Sequence, residues 1–165
     1  VRLKYFLFIV FLFCADRAQA QAANTRAYEV SFEGAAFLPS RIPWVHEILI
    51  GIDPRLTIPT SKGQFEVDAF LANGSGTSYS SFSLDYRYDL GNDDFPAFIT
   101  AGFNGDIWTP PAPNEAQVYG GGWHFGGGFI QPVTPGLSVR EDIRYRLGPG
   151  TTLIVGLGLN YRFPN

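Results

Sequence analysis

The chain lacks methionine altogether and holds one cysteine and two histidines. Such a set excludes a disulfide framework, and with His46 and His124 far apart in sequence it supplies no zinc ligand cluster. Charge is scarce as well. Asp, Glu, Lys and Arg make up 16% of residues, whereas soluble domains carry about a quarter. No run approaches the roughly 18 apolar residues of a membrane helix. Mean hydropathy is +0.02, which argues against a helical membrane protein but not against a barrel whose strands are only half apolar. No helical period of useful length appears. What the chain does hold is glycine (19), proline (12) and an aromatic fraction of 16%.

The N-terminus is a separate object. Arg2 and Lys4 form a positive start, Tyr5 to Cys14 an apolar segment, and Ala18-Gln19-Ala20 a small-residue cleavage frame, so residues 1–20 read as a cleavable signal peptide. Ala20-Gln21-Ala22 is a second frame. The residue before Cys14 is Phe13, too bulky for a lipoprotein signal, so Cys14 is expected to leave with the signal. Cleavage removes Arg2, Lys4 and Arg17 from twelve bases and Asp16 from fifteen acids, leaving nine and fourteen. An acidic mature chain is a poor partner for nucleic acid. Its one lysine, Lys62, is far fewer than a water-facing surface normally carries.

Turn residues cut residues 21–165 into eight candidate strands, at 28–38, 45–58, 64–73, 78–89, 95–108, 117–130, 137–147 and 151–163. Short connections make sequential neighbours antiparallel. The last strand shows the pattern best. Leu153, Val155, Leu157, Leu159, Tyr161 and Phe163 share one face, and Ile154, Gly156, Gly158, Asn160 and Arg162 the other. Phe82, Leu84, Tyr86 and Tyr88 oppose Ser83, Asp85, Arg87 and Asp89 in the same way. Leu137, Val139, Ile143 and Tyr145 oppose Ser138, Arg140, Asp142 and Arg144.

Periodicity alone does not say which face is inside. The polar face is rich in glycine, at 120, 122, 126, 128, 156 and 158, which suits a crowded lumen. Its charges are mainly Arg with Asp or Glu, types suited to paired, desolvated networks. Aromatics gather at strand ends in two belts, one of Phe65, Tyr86, Tyr88, Phe129, Tyr161 and Phe163, the other of Trp44, Tyr79, Trp108, Tyr119 and Tyr145. Together these predict an all-β, eight-stranded antiparallel up-and-down transmembrane β-barrel. Two positions strain the pattern. Glu141 falls on the apolar face, and Pro54 lies within the second strand, where a bulge or break is expected.

Tyr119-Gly120-Gly121-Gly122-Trp123-His124-Phe125, the segment from Pro135 to Tyr145, and Gly156-Leu157-Gly158-Leu159-Asn160-Tyr161-Arg162-Phe163 carry a family resemblance. In them the chain resembles the OmpA/OmpX-type small outer membrane β-barrel domain family of Gram-negative bacteria. The resemblance implies Sec-dependent export to the outer membrane and outer-membrane lipid as surroundings. It also implies periplasmic chaperones and the barrel-assembly machinery as biogenesis partners, with Tyr161 and Phe163 as the assembly signal. A monomer is expected.

Glu66, Asp68, Asp85, Arg87, Arg140, Asp142, Arg144 and Arg162 are expected to converge in the lumen as an ion-pair network. A structural or interaction role, in envelope integrity or surface adhesion, follows, with loops 38–44 and 109–116 and their Trp44 and Trp108 as possible contacts for a surface partner. The alternatives are a narrow porin and a lipid A-modifying acyl hydrolase or transferase. The last needs a serine nucleophile, a histidine base and an acid within reach. No such motif stands beside His124, so no catalytic residue, cofactor or metal is assigned.

Overall fold

A computed structural model describes residues 27–39, 47–74, 76–90, 96–110, 114–148 and 151–163. The expected signal peptide, Trp44 and His46 lie outside them.

Eight strands follow one another: β1 (Glu29–Pro39), β2 (Leu49–Pro59), β3 (Gln64–Gly74), β4 (Thr77–Asp89), β5 (Ala97–Thr109), β6 (Val118–Thr134), β7 (Leu137–Leu147) and β8 (Thr152–Arg162). Each pairs antiparallel with the next, and β8 returns to β1 with Glu29 opposite Arg162, so the sheet closes as a barrel. Closure leaves no edge strand with unpaired backbone groups, the condition for crossing a bilayer with strands. At 11 to 17 residues each, the strands are long enough to span about 30 Å of hydrocarbon when tilted. Glu29 and Arg162, the first and last strand residues, lie opposite each other at one end of the barrel, and Pro39 and Thr152 at the other.

The face question has a definite answer. Phe32, Ile50, Phe82, Leu84, Phe103, Trp123, Leu157 and Leu159 are exposed on the outside, while Glu33, Asp53, Arg55, Glu66, Arg87, Arg140 and Arg144 are fully buried inside. A barrel in water does the reverse. With the charges enclosed and the aliphatic and aromatic side chains outside, the fold is a transmembrane one.

Pro54 breaks the ladder without shifting it. It stands opposite Phe32 on β1, but pairing between β2 and β3 lapses from Ile52 to Arg55 and resumes in the same register. The one register shift between β6 and β7 falls at Pro132/Thr134. Glu141 remains on the outward side, half-buried, opposite Phe129 and Leu157. The belts need a correction. Tyr79 and Trp108 point inward and are buried, because each lies an even number of residues from an inward position, Asp85 and Asn104 respectively. Tyr119 and Tyr145 face outward.

Inward glycines leave room for the charges. A Cβ on Gly156 would stand 2.6 Å from the Glu33 carboxylate and 2.9 Å from that of Asp142. Outward Gly105 has open space around it. Gly156→Val is therefore expected to destabilise the barrel by about 1–3 kcal/mol through overpacking, whereas Gly105→Ala stays near neutral. Urea unfolding in detergent micelles, followed by tryptophan emission, measures both.

Candidate functional site

The alternation that sends apolar side chains outward brings β1–β4 and β7 carboxylates and guanidinia into one enclosed volume. Glu66 is its centre. Fully buried, it accepts from Arg140 at 2.6 and 2.9 Å, from Arg87 at 2.9 Å and from Arg55 at 3.3 Å. Three guanidinia around one carboxylate would repel one another unless further anions stood behind them. Those anions are present. Arg55 reaches Asp53 at 2.8 Å and Asp142 at 3.0 Å, and lies 3.6 Å from Glu33. Arg140 Nε stands 3.0 Å from Glu33. Arg87 pairs with Glu29 at 3.1 Å and Asp89 at 3.0 Å. Arg144 pairs with Asp53 and, at 3.2 Å, with Asp68.

Arginine suits this arrangement because its planar fork donates in several directions and keeps its charge in a dry site. All eight residues assigned to the network from sequence lie in or at the rim of this volume. Arg162 is at the rim, its side chain 30% exposed, and pairs with Glu29 at 2.7 Å. The sequence reading missed Glu29, Glu33, Asp53, Arg55, Asp106 and Arg146 as members. Pro54 disguised the alternation of β2, although Asp53, Arg55 and Thr57 keep a strict two-residue spacing.

The lumen is stoppered at one end. Phe37, Leu49, Phe70, Ala72, Tyr79, Trp108 and Ile154 pack as one buried cluster at the end away from the termini. Tyr79 lies 4.2 Å from Trp108 and 4.5 Å from Phe37 between ring centroids. Trp108, expected as an exposed loop contact, is 4% exposed and belongs to this plug. Toward the termini, buried Phe98 lies under Arg140 and Arg87, with guanidinium carbons 4.5 and 5.5 Å from its centroid. Tyr79 also joins the plug to the polar interior, donating to Asp106 at 2.5 Å beside Arg146.

His124 is buried. Its Nε2 faces the Asp85 carboxylate and its Nδ1 lies 3.3 Å from Asn104 Oδ1, while the Asn104 amide donates to Asp106 at 2.7 Å. These contacts hold the ring but bring it no nucleophile. Among the described residues, no group of three or more His, Cys, Asp or Glu is placed to hold a metal ion. At the terminal rim, Tyr161 and Phe163 are exposed and meet edge-on at 5.2 Å.

No protein-family model and no curated protein matches the chain. Solved structures do. The N-terminal β-barrel domain of Pseudomonas aeruginosa OprF superposes with a TM-score of 0.63 at 15% identity, covering 82% of this chain and 97% of that one. Neisserial surface protein A gives 0.62 at 15% identity, over 82% and 97%. Ail, the attachment invasion locus protein of Yersinia pestis, gives 0.57 at 12% identity, over 84% and 100%. The fold is thus that of the small eight-stranded outer-membrane barrels.

Glu66→Gln leaves three buried guanidinia short of charge and is expected to cost about 3–5 kcal/mol. Asp89→Asn, at a side chain 47% exposed, is expected to cost about 0–1 kcal/mol because solvent screens the pair. Equilibrium unfolding of the two variants in micelles checks the contrast.

Proposed function

We propose that the protein is a monomeric outer-membrane barrel with a structural or interaction role, closed to solutes and without catalytic activity. One observation carries this reading: an aromatic plug occupies one end of the lumen, and buried ion pairs with Phe98 beneath them occupy the interior next to it. A permanent pore needs a continuous water path, and ion pairs this deeply buried favour a packed interior over a conducting one.

Export through the Sec route and assembly by periplasmic chaperones and the barrel-assembly machinery fit the N-terminal segment and the exposed aromatic end of β8. Tyr161 and Phe163 are the assembly contacts in this reading. The loops 38–44 and 109–116 then face outward, where Trp44 and the prolines at 110, 111 and 113 offer semi-rigid apolar contact to a surface partner. Trp108 is buried in the plug and does not itself offer a contact. The likeness to an attachment protein favours adhesion as the interaction. A lipid A-modifying role is disfavoured by His124, whose ring is enclosed by Asp85 and Asn104.

Purified protein in planar bilayers is expected to show no steady ohmic openings; such openings would overturn the closed-lumen reading. Overexpression of the wild type and of His124→Ala is expected to leave the lipid A mass spectrum unchanged. A new acylation state that depends on His124 would establish the enzyme instead.

A further inference from the structure

Lumen charge is divided unequally between the two halves of the chain. Strands β1–β4 bury Glu29, Glu33, Asp53, Glu66, Asp68 and Asp85 against only Arg55 and Arg87. Strands β5–β8 supply Arg140, Arg144, Arg146 and the rim residue Arg162 against Asp106 and Asp142. One inner wall is therefore strongly anionic and the other cationic.

We propose that this segregation is a closing device: opposite charge on the two inner walls draws β7 and β8 onto β1–β4 and selects the native register at the β1–β8 seam. The proposal rests on the enclosed ion-pair network and does not depend on what the loops bind. Six ion pairs among the described residues join the halves: Arg55–Asp142, Arg140–Glu33, Arg140–Glu66, Arg144–Asp53, Arg144–Asp68 and Arg162–Glu29. Among the described residues, Asp68 and Arg162 have their ion pairs only across this divide.

Five of these pairs join β7 to β1, β2 or β3, strands to which β7 is not hydrogen-bonded, and Arg162–Glu29 lies at the β1–β8 seam itself. An open sheet thus carries a surplus of carboxylates on its first half and of cations on its second, and both are costly in a low-dielectric setting. Attraction between the walls acts before contact and weakens with salt. A one-residue slip at the seam would turn charges toward lipid. A two-residue slip would displace them by about 7 Å along the strand and break the pairs.

The test is refolding of the full mature chain into vesicles of zwitterionic phosphatidylcholine. Closure is read as the heat-resistant compact band on a gel, and strand formation as far-ultraviolet circular dichroism. Closure of the wild type is expected to slow about fivefold between about 20 mM and about 500 mM salt, with strand formation little changed. Arg144→Gln, which weakens the cationic wall, should close more slowly at low salt and lose much of that dependence. Arg87→Gln removes pairs made within the anionic half and leaves that half more negative, so it should lose stability yet keep the full salt dependence. Asp68→Asn, which removes the β3–β7 pair with Arg144, should show a partial loss and serves if Arg144→Gln does not fold. Salt-independent closure of the wild type would overturn the proposal. So would equal salt dependence in Arg87→Gln and in the cross-wall variant that folds.

Discussion

A carboxylate ringed by three guanidinia is tolerable only where the rest of the structure supplies compensating charge, and Glu66 sets that demand for the whole barrel. Arg55, Arg87 and Arg140 meet there, and each brings further anions with it. Apart from Asp89 and Arg162 at the rim, the network is enclosed, so its partners cannot be replaced by bulk water without the barrel opening. Its size also dictates the wall around it. Glycine at 126, 156 and 158 occurs where a side chain would press on Arg144, Asp142 or Glu33. The glycine-rich strands thus belong to the electrostatics of the lumen as much as to the curvature of the sheet.

The same network separates two kinds of interior. Polar groups fill the region from the terminal rim to Arg146. Beyond it, Tyr79 turns its hydroxyl to Asp106 and its ring to Trp108 and Phe37. A tyrosine is well suited to such a boundary, since it has an apolar body and a polar tip. The plug removes water from one mouth, and the cation–π contacts at Phe98 cover part of the other side of the network. A role exercised through exposed loops and the membrane-facing surface accords with an interior so fully committed to itself.

Much of this was legible in the sequence. Strand number, order and approximate limits followed from turn residues, and sidedness from the pairing of glycine and arginine on the polar face. The last strand showed both features at once, with Leu157 and Leu159 outside and Asn160 inside. Where the reading failed, composition had been allowed to outweigh parity. Tyr79 and Trp108 lie near strand ends and are aromatic, so they resembled girdle residues, yet their spacing from Asp85 and Asn104 already placed them inside. Asp53 and Arg55 were hidden by the proline between them. That proline interrupts hydrogen bonding with β3 but leaves the direction of its neighbours unchanged. The partners of Glu66 were beyond reach for a different reason: contacts across the lumen join strands far apart in the chain, and no local pattern encodes them.

The central claim is that this barrel is inverted, with apolar side chains in lipid and charges enclosed. Spin labels on β4 test it directly, and the expected loss of Cys14 with the signal leaves a background suited to single cysteine attachment. In phospholipid vesicles, labels at Phe82 and Leu84 are predicted to relax strongly with dissolved oxygen and weakly with a water-soluble nickel chelate. Strong relaxation by the chelate at both positions would contradict the inverted barrel.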